Sequence, residues 1–474
     1  MKKIFNILTI GVVAAMSLTS CERDLTSLNV DPKHPSTLPS QNLLAMGLQQ
    51  SSYYMFTGSV NFNNYRFFTQ QWSQTTYTDE TTYNLVTRNQ PRNHFNRMYV
   101  YSINNYKTAK VNLETEANTP AIKANKLASL EISEIFVWEN LVDTFGDVPY
   151  SEAFKADEQL YSPKYDDAKE IYLSLLSRLD AAIATIDESS NGYIDGGDIV
   201  YTGDMTKWKH FANSIKLRLA MNLADVDPAL SKSAAEAAIT SGVISSEDES
   251  YVFKFDGGTF INPNFDDLGP RNDYVPSELV INTMNANNDP RRAKWFTQVG
   301  GAYVGGVFGE LNTFGDFSHM SSDFQSASAP GNLLSYVEVL FLKSEAAARG
   351  YSVGGTAESF YNAAIVASMT ENSVATADAT AYLAANPYNA ANWKQSIGVQ
   401  AWVAMFNRGF AAWNFSRRLD YPVFVNPANS QLDGVPVRMP YSDQEYVLNG
   451  SNVSAAATKI GGDKAVTKLF WDVN

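Results

Sequence analysis

Apolar residues recur at helical spacing along most of the chain, with polar residues between them. One such segment runs from residue 121 to residue 142, and its apolar positions are Ile132, Ile135, Phe136 and Val142. A period near 3.6 residues is typical of an amphipathic helix that buries one face. The segment leads into Gly146 and Pro149, two residue types that end helices because of their backbone geometry.

The same spacing predicts further helices at several places. Asp204 or Thr206 supplies an N-cap for one of them, because a side-chain oxygen there accepts hydrogen bonds from the first free backbone N–H groups. Another, from Ser335 to Arg349, is apolar almost all round, which is typical of a buried helix. The remaining helical segments are 65–76, 167–186, 399–406 and 413–418.

Strand signals are few and short. Residues 251–255 alternate between apolar and polar side chains, and residues 435–439 are a second candidate. Loops rich in Gly and Asn cover roughly 254–275 and 296–332, and no charge run or low-complexity linker divides the chain. The sequence therefore predicts a mainly all-α fold, in which residues 41–474 form one helical domain with long irregular loops.

The first 21 residues have the layout of a bacterial lipoprotein leader. Lys2 and Lys3 form a basic start, a mostly apolar stretch of 15 residues follows, and small residues precede Cys21. That stretch is short for a membrane-spanning helix, which needs about 20 apolar residues. The ending Leu-Thr-Ser-Cys resembles a lipobox, in which the cysteine thiol is lipidated; the alternative is a plain signal peptide with an incidental cysteine. We therefore expect a signal peptide over 1–20, lipidation of Cys21 and a polar tether over 21–40.

Composition narrows the classes of function. The chain has 474 residues, 36 Lys and Arg against 50 Asp and Glu, and a formal net charge of −14. Proteins that bind nucleic acid draw much of their affinity from basic residues that neutralise phosphates, and no basic stripe is present. Charged residues at 18% are too few for a disordered chain. The single cysteine excludes an intramolecular disulfide.

The motifs that identify common enzymes are missing. The four histidines include no i, i+4 pair for zinc, and the chain has no P-loop and no Gly-x-Ser-x-Gly elbow. Carboxylates are plentiful, but no motif supports a glycosidase pair. We expect a non-catalytic protein without a metal or organic cofactor. A structural calcium ion would use Asp195 with Asp198 or Asp266 with Asp267, although neither pair has the spacing of a known calcium loop.

Aromatic rings are concentrated beside amides in one part of the chain. From Tyr53 to Tyr106, 14 of 54 residues are Phe, Tyr or Trp, and Asn and Gln residues lie among them. Flat rings stack on the apolar faces of sugars, while amides bond to hydroxyl groups or to peptide backbones. Most rings within helices pack in the core, whereas loops carry binding sites. The candidate ligand-binding residues are Trp72, Tyr77, Tyr83, Trp295, Tyr303, Phe308, Phe314 and Phe317.

Glu338 stands in an otherwise apolar helix. A buried carboxylate without a partner is very costly, so we expect an ion pair with an arginine. The candidate partners are Arg349, Arg408, Arg417 and Arg418.

Short motifs follow one another along the mature chain. They are Asn29-Val30-Asp31-Pro32, residues 141–150 (LVDTFGDVPY), residues 208–220 (WKHFANSIKLRLA), Asp289-Pro290-Arg291, residues 337–342 (VEVLFL), Trp413 with Arg417 and Arg418, Tyr421-Pro422, and residues 438–441 (RMPY). Together they resemble the SusD/RagB family of outer-membrane nutrient-binding lipoproteins, and the resemblance covers essentially the whole mature chain.

The resemblance implies an α-helical fold built on four tetratricopeptide-like helix-turn-helix units, with long irregular loops and a few short strands. It also implies a partner, a SusC-like TonB-dependent transporter over which the protein sits as a lid. The protein is then lipid-anchored in the outer membrane and faces the cell surface. We expect it to capture oligosaccharide or polysaccharide without catalysis and to pass this neutral glycan to the transporter.

Three other functions stay open at this point. Some members of the family bind peptides, so an oligopeptide-binding lid of a peptide-importing transporter is the main alternative. A surface enzyme such as a glycosidase is the second. A structural lid whose ligand contacts belong mostly to the transporter is the third. Family membership alone does not choose the ligand.

Overall fold

Helices account for most of the regular structure in the computed structural model, which describes residues 38–269 and 271–473. The α-helices are α1 (Ser40–Phe56), α2 (Tyr65–Phe68), α3 (Gln90–Asn96), α4 (Asn104–Leu113), α5 (Pro120–Phe145), α6 (Ala168–Thr185), α7 (Met205–Asn222), α8 (Pro228–Ser241), α9 (Pro263–Leu268), α10 (Glu278–Ala286), α11 (Arg292–Trp295), α12 (Tyr336–Ala348), α13 (Ala357–Glu371), α14 (Thr376–Ala385), α15 (Trp393–Ala404), α16 (Gly409–Leu419), α17 (Asp443–Leu448) and α18 (Gly450–Lys459). A π-helix, Arg97–Ile103, joins α3 to α4. The predicted all-α fold is confirmed.

Helices that follow one another in the sequence pack as pairs. Helix α5 packs against α6, α7 against α8, α12 against α13, and α15 against α16. Helix α7 also contacts α6 and α12, and α12 contacts α15, so that the pairs join into one array. This arrangement agrees with the repeated helix-turn-helix units that the family resemblance implies.

Aspartate side chains cap the starts of two helices, and one of these caps was predicted from the sequence. The carboxylate of Asp167 accepts hydrogen bonds from two backbone N–H groups, at 2.9 and 3.1 Å, and α6 begins at the next residue. Asp204, rather than Thr206, caps α7 in the same way, at 3.0 and 3.1 Å. Such a cap pairs N–H groups that have no partner within the helix.

Ion pairs in the core tie the helix pairs together. Arg218 on α7 bonds to Glu139 on α5, with 2.6 Å between Nη2 and Oε2, and its Nη1 donates to Oε1 of Glu338 on α12 at 3.0 Å. Arg418 on α16 bonds to Glu345 on α12, with 2.9 Å between Nη2 and Oε2. All five side chains are buried. The core tolerates these charges because each has an opposite charge beside it.

Glu338 thus has the arginine partner that its burial requires, but the four predicted partners were wrong. Arg218 precedes Glu338 by 120 residues, whereas the candidates all follow it. Arg349 bonds instead to Glu345, as Arg418 does. Arg408 bonds to Glu371, and the Nη1 of Arg417 donates to backbone carbonyl oxygens.

Two pairs of short antiparallel strands connect distant loops. Strand β1 (Trp72–Gln74) pairs with β3 (Tyr274–Pro276), and β2 (Tyr251–Phe253) pairs with β4 (Gly331–Leu334). In the first pair Trp72 lies opposite Pro276 and Gln74 opposite Tyr274. The predicted strand at 251–255 is therefore present in a shorter form.

Two other sequence predictions differ from the structure. The helix predicted over 65–76 was wrong, because α2 ends at Phe68 and Gln70 takes a φ of 48°, a left-handed conformation that breaks helical geometry. Residues 435–439 form none of the strands recorded among the described residues. There the N–H of Val437 donates to Ala465, and the N–H of Met439 donates to Thr144.

The signal peptide predicted over 1–20, Cys21 and most of the tether predicted over 21–40 lie outside the described residues. The part of the chain that begins at Pro39 forms a single unit by its internal contacts. None of the helices within residues 38–269 and 271–473 combines the length and the apolar character that crossing a membrane requires.

Candidate functional site

A cleft of about 340 Å³ opens where several helix ends meet the loops, and we call it the Phe324 cleft. Aromatic, amide and charged side chains all contribute to its wall. The aromatic residues are Phe56, Trp295, Phe324 and Phe406, the amides are Asn262, Asn264, Asn332, Asn372 and Asn407, and the charged residues are Lys294, Asp323, Glu371 and Arg408. Two positive and two negative side chains line the cleft, so its formal charge is balanced.

Stacked rings form one side of the Phe324 cleft. The rings of Trp295 and Phe406 lie 5.3 Å apart at an interplanar angle of 19°, and both residues are buried. Phe324 meets Phe406 edge to face, with ring centroids 5.6 Å apart and an angle of 71°. Because Phe324 is only half-buried, its ring is the one that a ligand in the cleft can reach.

Helix ends place these groups. Helix α11 ends at Trp295, α13 at Glu371 and α15 at Ala404. Beyond α15 the chain turns at Asn407, whose φ of 64° is a left-handed conformation that asparagine adopts more readily than most residues. The Oδ1 of Asn407 accepts a hydrogen bond from the Nε of buried Arg66 at 2.8 Å, and this bond fixes the turn to the core.

Hydrogen bonds hold Glu371 and Arg408, two of the four charged residues of the cleft, in place. The Oε1 of Glu371 accepts hydrogen bonds from Arg408 and from the Nδ2 of Asn332, the latter at 2.5 Å. The Nη1 of Arg408 also donates to the Oγ of Ser335 at 2.8 Å. Lys294 is exposed, and no ion pair involves it within the described part of the chain.

Three buried polar atoms of the cleft residues have no hydrogen-bond partner among the described residues. They are the Oδ1 of Asn264, the Oγ of Ser321 and the Oε2 of Glu371. Buried polar atoms in proteins are nearly always paired, so these three are exceptions to the usual pairing.

A titratable carboxyl group lies on the same helix as Asn264. Burial raises the pKa of Asp267 to about 7, although the guanidinium of Arg66 acts in the opposite direction. The Oγ1 of Thr57 donates a hydrogen bond to it at 3.3 Å. Asp267 is therefore protonated in mild acid and charged above neutral pH.

Two of the predicted ligand-binding rings are enclosed by the protein, which corrects the sequence analysis. Trp72 is 0% exposed and packs beside the ring of Tyr274, and Tyr83 is 1% exposed and packs beside Phe68. Neither ring has an open face for stacking. Tyr83 was predicted because it follows the segment 65–76, which was taken to be a helix. Trp72 lies within that segment, and the structure places it in the strand β1.

The other predicted rings lie at several places on the loops. Phe308 contacts Tyr83, with 5.8 Å between centroids, and Tyr77 is 49% exposed, with the guanidinium of Arg88 5.3 Å from its centroid. Tyr303 and Phe317 are half-buried, as is Phe314, whose ring stacks on the imidazole of His319 at 3.7 Å. None of these five rings lines the Phe324 cleft.

Trp295 is the one predicted ring that the structure places in the Phe324 cleft. Sequence analysis missed Phe324, Phe406 and the amides beside them. Phe406 was assigned to a helix, although the pair Asn407-Arg408 directly after it was a signal for a helix end. Asn262-Pro263-Asn264 was a second signal, since Asn before Pro favours a helix start.

One carboxylate that was a candidate for calcium binding has hydrogen-bond partners within the protein. Within the residues that the structure describes, no three or more His, Cys, Asp and Glu side chains are grouped to hold a metal ion. At the first of the two candidate calcium positions, the Oδ2 of Asp198 accepts hydrogen bonds from the N–H of Gly203 at 2.9 Å and from the Nε1 of Trp208 at 2.7 Å. Its Oδ1 accepts from two further backbone N–H groups.

Comparison with known proteins places the chain in a family. A family model described as "Starch-binding associating with outer membrane" matches residues 32–442. The chain belongs to the SusD-like family. No curated protein sequence matches this SusD-like chain.

Solved structures of SusD-like proteins have the same fold. A chitin-binding protein is 27% identical with a TM-score of 0.82, and the match covers 92% of this chain and 100% of that one. A SusD homologue from Bacteroides uniformis is 25% identical with a TM-score of 0.80, covering 91% and 99%. A chitin-binding SusD homologue from Flavobacterium johnsoniae, at 24% identity and a TM-score of 0.78, covers 92% and 98% and shows the fold alone. The sequence resemblance to this family is therefore confirmed.

Proposed function

We propose that this SusD-like protein captures a neutral oligosaccharide in the Phe324 cleft and passes it, chemically unchanged, to an outer-membrane transporter. The observation that carries the proposal is the half-buried ring of Phe324, supported by the stacked pair Trp295 and Phe406 and surrounded by amides. Sugars offer apolar C–H faces to such a ring and hydroxyl groups to the amides. The balanced charge of the lining suits a ligand without net charge.

The comparisons support carbohydrate as the ligand class. The family description names starch, and the similar structure at 27% identity is that of a chitin-binding protein. Binding without catalysis is in keeping with a family described by what its members bind.

Delivery to a SusC-like TonB-dependent transporter and anchoring through Cys21 complete the proposal. The family description includes association with the outer membrane. The lipobox-like sequence that ends at Cys21 supplies a means of attachment that does not depend on a membrane-spanning helix.

The test is calorimetric titration of the purified chain from residue 24 onward with a panel of neutral oligosaccharides. Phe324→Ala is expected to weaken the best ligand about tenfold, because it removes the open stacking surface. Tyr161→Ala is the matched control, since Tyr161 is 74% exposed and lies in a loop outside the cleft. An unchanged affinity in Phe324→Ala would contradict the assignment of the site.

Two further experiments test the other candidate site and the other candidate ligand. Alanine substitutions of Tyr77, Tyr303, Phe314 and Phe317 test the loop rings; a loss of affinity confined to these variants would move the site from the cleft to the loops. A mixed oligopeptide pool tests the peptide alternative. Binding of peptides with no binding of any oligosaccharide would overturn the carbohydrate proposal.

A further inference from the structure

The side chain of Arg97 has no polar partner in the part of the chain that the structure describes. Among the arginines within residues 38–269 and 271–473, it is the only one with neither an ion pair nor a side-chain hydrogen bond. Arg92 shows the usual arrangement, since its Nε donates to the Oδ1 of Asp443 at 2.6 Å. Arg97 is half-buried, yet its side-chain nitrogens are accessible, because none of them is among the buried atoms that lack a partner. Its N–H donors are therefore available to a group from outside the chain.

Three aromatic rings hold this guanidinium in place. Its Cζ lies 4.6 Å from the ring centroid of Tyr101, 4.8 Å from that of Tyr54 and 5.5 Å from that of Phe62. We call the guanidinium and these three rings the Arg97 cage. Cation–π attraction of this kind restricts the orientation of the guanidinium before any ligand arrives. Arg97 and Tyr101 both lie on the π-helix, a rare form that is frequent at functional sites.

A fixed guanidinium with available N–H groups fits a carboxylate. Its planar fork can donate two parallel hydrogen bonds, one to each carboxylate oxygen. The chain's formal net charge of −14 repels an anion at a distance. Salt screens that repulsion beyond about 8 Å at physiological ionic strength, so the contact with the guanidinium decides the affinity.

The surroundings of the Arg97 cage favour a carboxylate that is carried by a sugar. Tyr101 is 44% exposed, so its ring offers a flat surface to the C–H face of a sugar beside the guanidinium. Asn61, next to Phe62, is exposed, and its side-chain amide has no hydrogen bond among the described residues. Such an amide bonds to hydroxyl groups. The flexible stem of an acidic peptide side chain has no flat face for the ring of Tyr101. None of these residues lines the Phe324 cleft.

We propose that the Arg97 cage is a second sugar site, which binds a hexuronate unit of a glycan. Arg97 donates to the carboxylate, the ring of Tyr101 stacks on the sugar, and the amide of Asn61 bonds to a hydroxyl group. This inference goes beyond the proposed function, which concerns a neutral ligand in the Phe324 cleft, and does not depend on it.

The test compares two oligosaccharides that differ only in the charge at carbon 6. Trigalacturonate carries free carboxylates there, and its methyl ester carries uncharged groups of similar shape. Calorimetric titration of the same purified chain is expected to give at least about tenfold tighter binding of the free acid, because only a carboxylate forms charge-assisted bonds to the guanidinium on both of its oxygens.

Variants assign that difference to the Arg97 cage. Arg97→Gln removes the charge and the fork, and it is expected to weaken trigalacturonate binding at least about tenfold. Arg97→Lys keeps the charge without the fork, so its affinity should lie between those of Arg97→Gln and the wild type. Arg92→Gln is the matched control: it removes the same charge from the adjoining helix α3, where Asp443 already occupies the fork, and should leave the affinity unchanged.

Several outcomes would overturn this inference. Equal affinity for the free acid and its methyl ester would do so, as would no binding of trigalacturonate or an unchanged affinity in Arg97→Gln. Loss of trigalacturonate binding in Phe324→Ala alone would place the acid in the cleft instead. A tripeptide of glutamate that binds as tightly as trigalacturonate would show a carboxylate site that needs no sugar, and would overturn the assignment to a glycan. The capture of neutral oligosaccharides is tested separately by the titrations with Phe324→Ala, so the failure of one proposal is distinguishable from that of the other.

Discussion

The Nη1 of Arg218 lies 3.0 Å from the Oε1 of Glu338, and this contact joins two helix pairs through the core. The same guanidinium bonds twice to Glu139, at 2.7 and 2.6 Å, so one cation serves two buried carboxylates. Burial raises the pKa of Glu139 to about 7, and Arg218 opposes that rise. Of these three residues, Arg218 is therefore the one whose loss should destabilise the core most.

Replacing Arg218 with methionine is expected to lower the free energy of unfolding by about 3–5 kcal/mol, because two buried carboxylates lose their cation. Glu338→Gln is expected to lower the free energy of unfolding by clearly less, because Arg218 still pairs with Glu139. Urea unfolding measures both. Equal losses in the two variants would contradict this account. Lost ligand binding with unchanged stability in Glu338→Gln would show that Glu338 is not a structural residue.

Asp267 is expected to make the protein less stable as the pH rises from about 4 to about 7. Its pKa is raised by burial from 3.8 to about 7, so in that range the folded state holds a proton that the unfolded state has lost. The stabilisation is complete below pH 3.8 and is lost above pH 7. Asp267→Asn should therefore raise the melting temperature at pH 8 and change it little at pH 4. The exposed neighbour Asp266, changed to Asn, is the control; equal shifts in both variants would contradict the prediction.

His94 is expected to have the opposite effect in the acid range. The ring is fully buried, and burial lowers its pKa from 6.5 to about 4, although Asn140 bonds to its Nε2 at 2.8 Å. Between these values the unfolded state binds more protons, so stability falls as the pH drops from 6.5 toward 4. His94→Gln removes this titration. The stability of wild type relative to the variant should decrease between pH 7 and pH 4.5, and a constant difference would refute the role of His94.

Cys21 is expected to hold the protein at the membrane. In cells that process lipoproteins, Cys21→Ser should stop incorporation of labelled fatty acid and release the chain from the membrane fraction. The folded part should be unaffected, so its melting temperature should match that of the wild type. Retention of Cys21→Ser in the membrane fraction with no lipid label would indicate anchoring by another route.

Local signals made much of the fold predictable. Asp167 and Asp204 mark helix starts because capping depends on residues two or three positions away, and the apolar run that became α12 indicated burial regardless of its neighbours. The break after Phe68 was not predictable in this way. Strand β1 exists because it pairs with residues 274–276, about 200 positions later, and a local pattern carries no information on such a partner.

The site was less predictable than the fold, for a related reason. The Phe324 cleft combines residues from Phe56 to Arg408 that only the packing of helix ends brings together. Composition drew attention to rings in one stretch of sequence, and Trp72 and Tyr83 in that stretch turned out to be core. The partner of Glu338 was missed likewise, because Arg218 lies 120 residues away on another helix.

Asn407 bonds both to buried Arg66 and to Asn264, so the turn that shapes the cleft is also part of the chain's internal framework. Ligand occupancy and global folding are consequently coupled equilibria. A ligand present at a hundred times its dissociation constant adds about 2.7 kcal/mol to the free energy of unfolding of the whole unit. A substitution far from the cleft that loosens this framework will weaken the apparent affinity, even though it touches no ligand atom.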